Sequence, residues 1–296
     1  MDEVIVRITG AHMVLVSVLG LCVNIFMLFH YLHLPTSGFN LLCSSKILSN
    51  CMSLLIYLLY VGPVNVLYTN FGSCALNDYL NQALGFGLLL QGPIIQCMIA
   101  VNRLVVVWCS PLYQPASSTQ ITVAAIFLSW TFTAWFSTLL GLPDDCRGAF
   151  NFAHVPCQVS TKCNVQITWF LVYSLFGLAG TTNFMNILIA LKLFCMSRSG
   201  KVLSSESSRS RRRLSIRFFL QSCFQDWIMV LDFVNNFSST IYCSTAVCIT
   251  SVTMGFDVLV YFVDGAVMYL FNRKVKAKEM VTRVKSVDFV RPKTTT

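Results

Sequence analysis

The sequence predicts an all-α membrane protein: a seven-transmembrane helix bundle with its N-terminus outside and its C-terminus cytosolic. Three observations predict it. Long apolar stretches recur at about 9–32, 41–68, 79–107, 120–142, 166–195, 215–242 and 247–271. Each can supply the roughly 20 apolar helical residues that cross a bilayer core, and helices satisfy their own backbone groups in lipid. With 296 residues, 55% hydrophobic and 11% charged, the chain has room for short loops and no separate soluble domain. The basic residues lie on one set of span ends. Arg198–Arg217 and the segment from Arg273 to Lys293 are rich in Lys and Arg, whereas the other side holds only Arg7, Arg147 and Lys162. The positive-inside rule places the rich side in the cytosol. The net charge of +9 is therefore read as topology and contact with membrane lipids, not as nucleic-acid binding.

Met1–Ile8 is too short for a cleavable signal, so the first span is expected to act as its own insertion signal. That span carries Asn24, and the second carries Asn50, with Lys46 taken as a span-end charge. Pro63, after Gly62, predicts a kink, as does Pro93 in the Gln91-Gly92-Pro93 stretch of the third span, because proline removes a backbone donor. Kinks open space between helices, which fits a cavity in the outer half. Asn102-Arg103 ends the third span. A guanidinium there can hold several acceptors or simply snorkel to the interface.

The fourth and fifth spans flank the longest outer loop, Pro143–Gln166. Six of the thirteen cysteines lie at or near outer ends: Cys74, Cys146, Cys157, Cys163, Cys243 and Cys248. Disulfides are plausible on that oxidising side, but spacing does not fix their connectivity. The preferred pairing ties Cys74 to a cysteine of the 143–165 loop, and Cys243 and Cys248 could close the last outer loop. The Ser-rich segment Ser204–Ser210 runs into Arg211-Arg212-Arg213, which makes Ser215 a candidate phosphorylation site.

The sixth span has a polar stripe of Gln225, Asp232, Asn236 and Ser239, flanked by Asp226 and Asn235. Its sequon, Asn236-Phe237-Ser238, lies inside the span, so glycosylation is not expected. The last span places Asp257, Tyr261 and Asp264 on one helical face. Ionisable groups in lipid are costly and point to function or interhelical bonding. The set as a whole implies a polar cavity or hydrated network. Beyond it, residues 272–296 form a cytosolic tail with a possible amphipathic helix along the inner leaflet. There is no Gly-rich phosphate loop, no Cys/His metal set and no Ser/His/Asp arrangement. Neither an enzyme nor a cofactor is expected.

Four ordered motifs resemble the nematode serpentine chemoreceptor family, class X, whose members are seven-transmembrane G-protein-coupled receptors. Ser37-Gly38-Phe39 through Ser45-Lys46-Ile47-Leu48-Ser49-Asn50 is similar to the family's "SFG…LSKAISN". Ile99-Ala100-Val101-Asn102-Arg103 resembles "IALNRF", with Leu104 in place of Phe. Phe218-Phe219-Leu220-Gln221-Ser222 with Gln225-Asp226 resembles "FLQS…QD", and Asp264-Gly265 with Phe271-Asn272 resembles "DG…FN".

The resemblance implies a chemosensory-type receptor in the plasma membrane, with the sensory cilia of neurons as one expected location. Such a receptor binds a small molecule and signals to a heterotrimeric G protein. The ligand candidates are Gln91, Asn236, Asp257 and Tyr261. The activation switch and polar network are Asn24, Asn50, Asn102, Arg103 and Asp264. Asn102 stands where receptors keep an acid beside the Arg, and Asp-Gly replaces the common Asn-Pro of the last span. The alternative is a proton- or ion-coupled transporter or channel using the intramembrane acids, for which inverted repeats would be expected, and none is visible.

Overall fold

A computed structural model describes the backbone of residues 2–69, 72–108, 115–138, 161–198 and 206–288. Side chains are described within these segments except at 115–118, 138, 161–168, 196–198, 206–215, 273–288 and a few single positions. The described residues form seven helices: α1 (Asp2–Leu32), α2 (Gly38–Leu67), α3 (Cys74–Trp108), α4 (Pro115–Thr138), α5 (Thr161–Arg198), α6 (Glu206–Tyr242) and α7 (Ala246–Asp288). Six have stretches long and apolar enough to cross a membrane; α6 does not. The cause is its own sequence. Gln221, Ser222, Gln225, Asp226 and Asp232 lower its hydropathy, and all five are buried in the bundle rather than facing out.

Both prolines sit near a widened helical turn. In α2 a π-helical turn spans Tyr57–Val61 and runs directly into Gly62-Pro63. In α3 one spans Ala83–Leu88, a turn before Pro93. A π turn accommodates one extra residue and re-aims the side chains around it. In α2 the turn begins at Tyr57, which it holds fully inside the bundle. Ser37 caps the start of α2 by accepting the Asn40 N–H, and Ser73 caps α3 by accepting that of Leu76. Tyr68, in the left-handed region, ends α2.

α1 packs between α2 and α7, while α3 touches α2, α4, α5 and α6; α6 packs between α5 and α7. The main core joins α1, α2, α3 and α7 through Met13, Met27, Ile47, Leu54, Ile95 and Val258. A smaller cluster joins α3, α4 and α5, where Phe86 meets Phe136 edge to face at 5.9 Å. Lipid is as apolar as these side chains, so close packing and interhelical hydrogen bonds hold the bundle together. Close packing is visible at Gly10, where a Cβ would lie 2.5 Å from the backbone nitrogen of Val66.

Candidate functional site

Asp257 and Asp264 lie two turns apart on α7, about 10 Å along its axis, and each anchors a polar group. At the Asp257 level, one amide serves two acids. Asn236 Nδ2, on α6, donates to Asp257 Oδ1 at 3.0 Å and to Asp232 Oδ1 at 3.4 Å. Tyr57 donates its hydroxyl to Asp257 Oδ2 at 3.5 Å, and its ring lies 6.4 Å from that of Tyr261. Asp232 and Tyr57 are buried, whereas Asp257, Asn236 and Tyr261 are half-buried. Neither acid makes an ion pair among the described residues. The result is a partly open patch of two carboxyl groups and two phenol rings.

At the Asp264 level the charges are paired. Lys46 Nζ, on α2, lies 2.8 Å from Asp264 Oδ1, with both side chains buried. Gln225 of α6 donates to the same oxygen at 2.9 Å, and Asn50 of α2 donates to Oδ2 at 2.7 Å. Lys46 also donates to Gln96 Oε1 at 2.7 Å, and Gln96 Nε2 donates to Ser222 Oγ at 3.0 Å. Four helices therefore meet on one carboxylate and one ammonium. Asn24 adds α1: its Oδ1 accepts from Asn50 at 3.4 Å, and its Nδ2 donates to Gly20 O at 2.9 Å and Tyr261 O at 3.2 Å. Tyr261 thus belongs to both groups. Its ring faces Tyr57, and its carbonyl is held by Asn24.

The expectation that Lys46 is a span-end charge is corrected by this geometry. α2 begins at Gly38, so Lys46 sits two turns inside the helix and is 5% exposed. A Lys at that depth and an Asn one turn later on the same face, at 46 and 50, were the legible signal for a buried acidic partner. Lys46, Gln96, Ser222 and Tyr57 are the residues that sequence reasoning left out of the site.

Arg103 does not snorkel. It is 9% exposed, and its guanidinium lies 5.0 Å from the centre of the Phe39 ring and 5.9 Å from that of Phe218. A cation over a ring face is attracted by the ring quadrupole. Asn102 packs against α2, where a Cβ on Gly38 would lie 3.1 Å from its Nδ2. Gln91 is set apart from the Asp257 group by its bonding to α4. Its Nε2 donates to Ser129 Oγ at 3.2 Å, and its Oε1 accepts from Thr133 Oγ1 at 3.0 Å.

Cys243 and Cys248 form a disulfide that closes the short α6–α7 connection. Cys74 is disulfide-bonded, with its partner outside the described residues. Cys146 and Cys157 lie outside the described residues. Cys163 falls in α5 and Ser215 in α6, with side chains that are likewise outside the description. Among the described residues no group of His, Cys, Asp and Glu is placed to hold a metal ion.

The family model for the serpentine-type seven-transmembrane G-protein-coupled chemoreceptor Srx matches residues 14–272. The crystal structure of squid rhodopsin is similar to this chain with a TM-score of 0.71, covering 99% of this chain and 89% of that one. At 12% identity that likeness is one of fold: an all-α seven-helix bundle. No curated protein sequence matches the chain. The multi-pass helices and the family model agree, and membership sets the chain among receptors rather than enzymes: it belongs to the Srx family of serpentine seven-transmembrane G-protein-coupled chemoreceptors.

Proposed function

We propose that this chain is a plasma-membrane chemosensory receptor, with its N-terminus outside, that binds a small molecule at the Asp257 level and signals from the Arg103 end to a heterotrimeric G protein. The observation that carries this reading is the contrast between the two polar groups along α7. The Asp264 carboxylate has its charge matched by Lys46 and its oxygens taken by three donors. The Asp257 and Asp232 pair has one amide between two acids, with Asp257 half-buried rather than sealed. Two acids with no cation favour a ligand that brings a positive charge or several hydrogen-bond donors. Tyr57 and Tyr261 supply ring faces for the rest of it.

Tyr261 gives the ligand a route to the inner network. A ligand that shifts its ring also shifts the carbonyl held by Asn24, which is bonded in turn to Asn50 and so to Asp264. A bundle with two arrangements of these bonds is biased by any ligand that prefers one of them. Gln91 is left out of the pocket because its amide already joins α3 to α4.

The test is a small-molecule screen on cells expressing the full chain, read through a promiscuous G protein. At least one cationic compound is expected to raise the signal, and Asp257→Asn should weaken its potency by about tenfold or more, as loss of a hydrogen bond to a charged group does. Substrate-driven current or flux in liposomes holding the chain and no G protein would instead establish a transporter or channel.

A further inference from the structure

Where α3, α5 and α6 meet, the bundle buries three oxygen atoms that receive no hydrogen bond. Thr182 Oγ1 and Asn186 Oδ1 of α5, and Asp226 Oδ1 of α6, have no partner among the described residues. At 1%, 4% and 1% exposed, the three side chains are closed off from solvent. They form one cluster. Thr182 and Asn186 are a turn apart on one face of α5, and Asn186 Nδ2 donates to the other oxygen of Asp226. Cys97 of α3 reaches the Thr182 hydroxyl and feels the charge of Asp226. A hydroxyl turned toward that sulfur still leaves its own oxygen free to accept. Lys46 and Arg103 act on Asp226 through their charge, without an ion pair. Buried acceptors without donors are costly, so the cluster suits a group that only donates.

A primary ammonium is such a group, with three N–H donors, no acceptor and one positive charge. A quaternary ammonium would bring no N–H, and a divalent metal would bring two charges to one carboxylate. Asp226 is also not the only acid in need of a cation: Asp226, Asp232 and Asp257 all lack an ion pair among the described residues. Asp226 and Asp232 are six residues apart on α6, about 9 Å along its axis and roughly 120° round it. The first meets α5 and the second shares Asn236 with Asp257 of α7. Between those directions α6 meets α3, where Ser222 accepts from Gln96. One turn from Gln96 on α3 stands Gly92, and a Cβ there would lie more than 4 Å from every neighbouring helix. Gly92 thus leaves room between the two acidic seats.

We propose that the ligand is a linear diammonium compound, with one ammonium at Asp257 and Asp232, the other at Asp226, Asn186 and Thr182, and its methylene chain passing Gly92. The proposal rests on Asp257 as a ligand seat and adds a second, deeper seat that defines the ligand's class. An extended chain of about eight methylenes, at roughly 1.3 Å per bond, spans the two seats, and a chain of about four falls short. A monoamine fills the outer seat alone and leaves the buried oxygens without donors.

Full-length chain in lipid nanodiscs is titrated with diaminooctane, diaminobutane or octylamine, and affinity is taken from the concentration dependence of thermal unfolding. Diaminooctane is expected to bind about tenfold or more tighter than the other two. Asp226→Asn should bring it down to the affinity of octylamine, and Gly92→Leu should do the same by blocking the chain. Thr182→Val, nearly the same in shape, should remove part of the preference and keeps the test open if Asp226→Asn does not fold. Octylamine binding as tightly as diaminooctane, and weakened by Asp257→Asn, would overturn the inner seat and leave the receptor reading standing. A preference for diaminooctane that survives both Thr182→Val and Gly92→Leu would overturn it too. Binding of none of the three amines would overturn the diammonium class, and a response of expressing cells to a neutral compound would separate that failure from failure of the receptor reading.

Discussion

Asn24 reaches Tyr261 because residue 265 has no side chain. A Cβ on Gly265 would lie 2.5 Å from Asn24 Nδ2 and 2.7 Å from its Oδ1. The amide cannot step aside without losing its bonds to Gly20, Tyr261 and Asn50. Gly265→Ala is therefore expected to cost about 1–3 kcal/mol, the usual range for overpacking, measured by thermal unfolding of the purified chain. Asn24→Ala added to Gly265→Ala should lower stability no further, since the clash and the bonds are already lost together. A fully additive loss would show that the two residues do not meet. The sequence made Asn24, Asn50 and Asp264 legible as polar residues in lipid, and Asp264-Gly265 as a departure from Asn-Pro. It did not show why a glycine follows the acid, because that depends on a side chain from α1.

Helix by helix, the bundle was largely readable and the bonds between helices much less so. Apolar stretches marked six of the helices because hydropathy is a local property, whereas the stretch at 215–242 carries too many buried polar residues to be apolar enough by itself. The prolines at 63 and 93 signalled irregular turns, but the π geometry that holds Tyr57 inside depends on its neighbours. Lys46 was misplaced because the apolar run around it does not show where α2 begins, and Gly38 sets that depth. Its pairing with Asp264 ties α2 to α7, with Gln225 and Gln96 bringing in α6 and α3. Lys46→Met leaves a buried carboxylate without its cation and should cost about 3–5 kcal/mol. Adding Asp264→Asn removes the stranded charge and should restore at least half of that loss. Chemical unfolding of the two variants checks this, and no recovery in the double variant would show that the ion pair is not the main tie between these helices.

For the molecule as a whole, the direction of the chain through the membrane decides what the two polar groups do. The charge bias predicts that an epitope at the N-terminus is reached by antibody on intact cells, and one at the C-terminus only after permeabilisation. The reverse labelling would turn the Asp257 group toward the cytosol and remove it as a site for external compounds. The fold and family are consistent with the one-sided basic residues and the four motifs. What each amide bonds to was harder to read. Gln91 and Asn236 look alike as amides in lipid, yet the first joins α3 to α4 while the second sits between two acids.

In the proposed receptor an external ligand is read at Asp257 and reported at the Arg103 end. The most direct measurement is the concentration–response curve of a hit from the small-molecule screen, in cells expressing wild type or Asp257→Asn with surface expression matched. A cationic agonist is expected whose potency falls about tenfold or more in Asp257→Asn, with a signal that requires the added G protein. Unchanged potency in the variant, or a response that persists without any G protein, would contradict it.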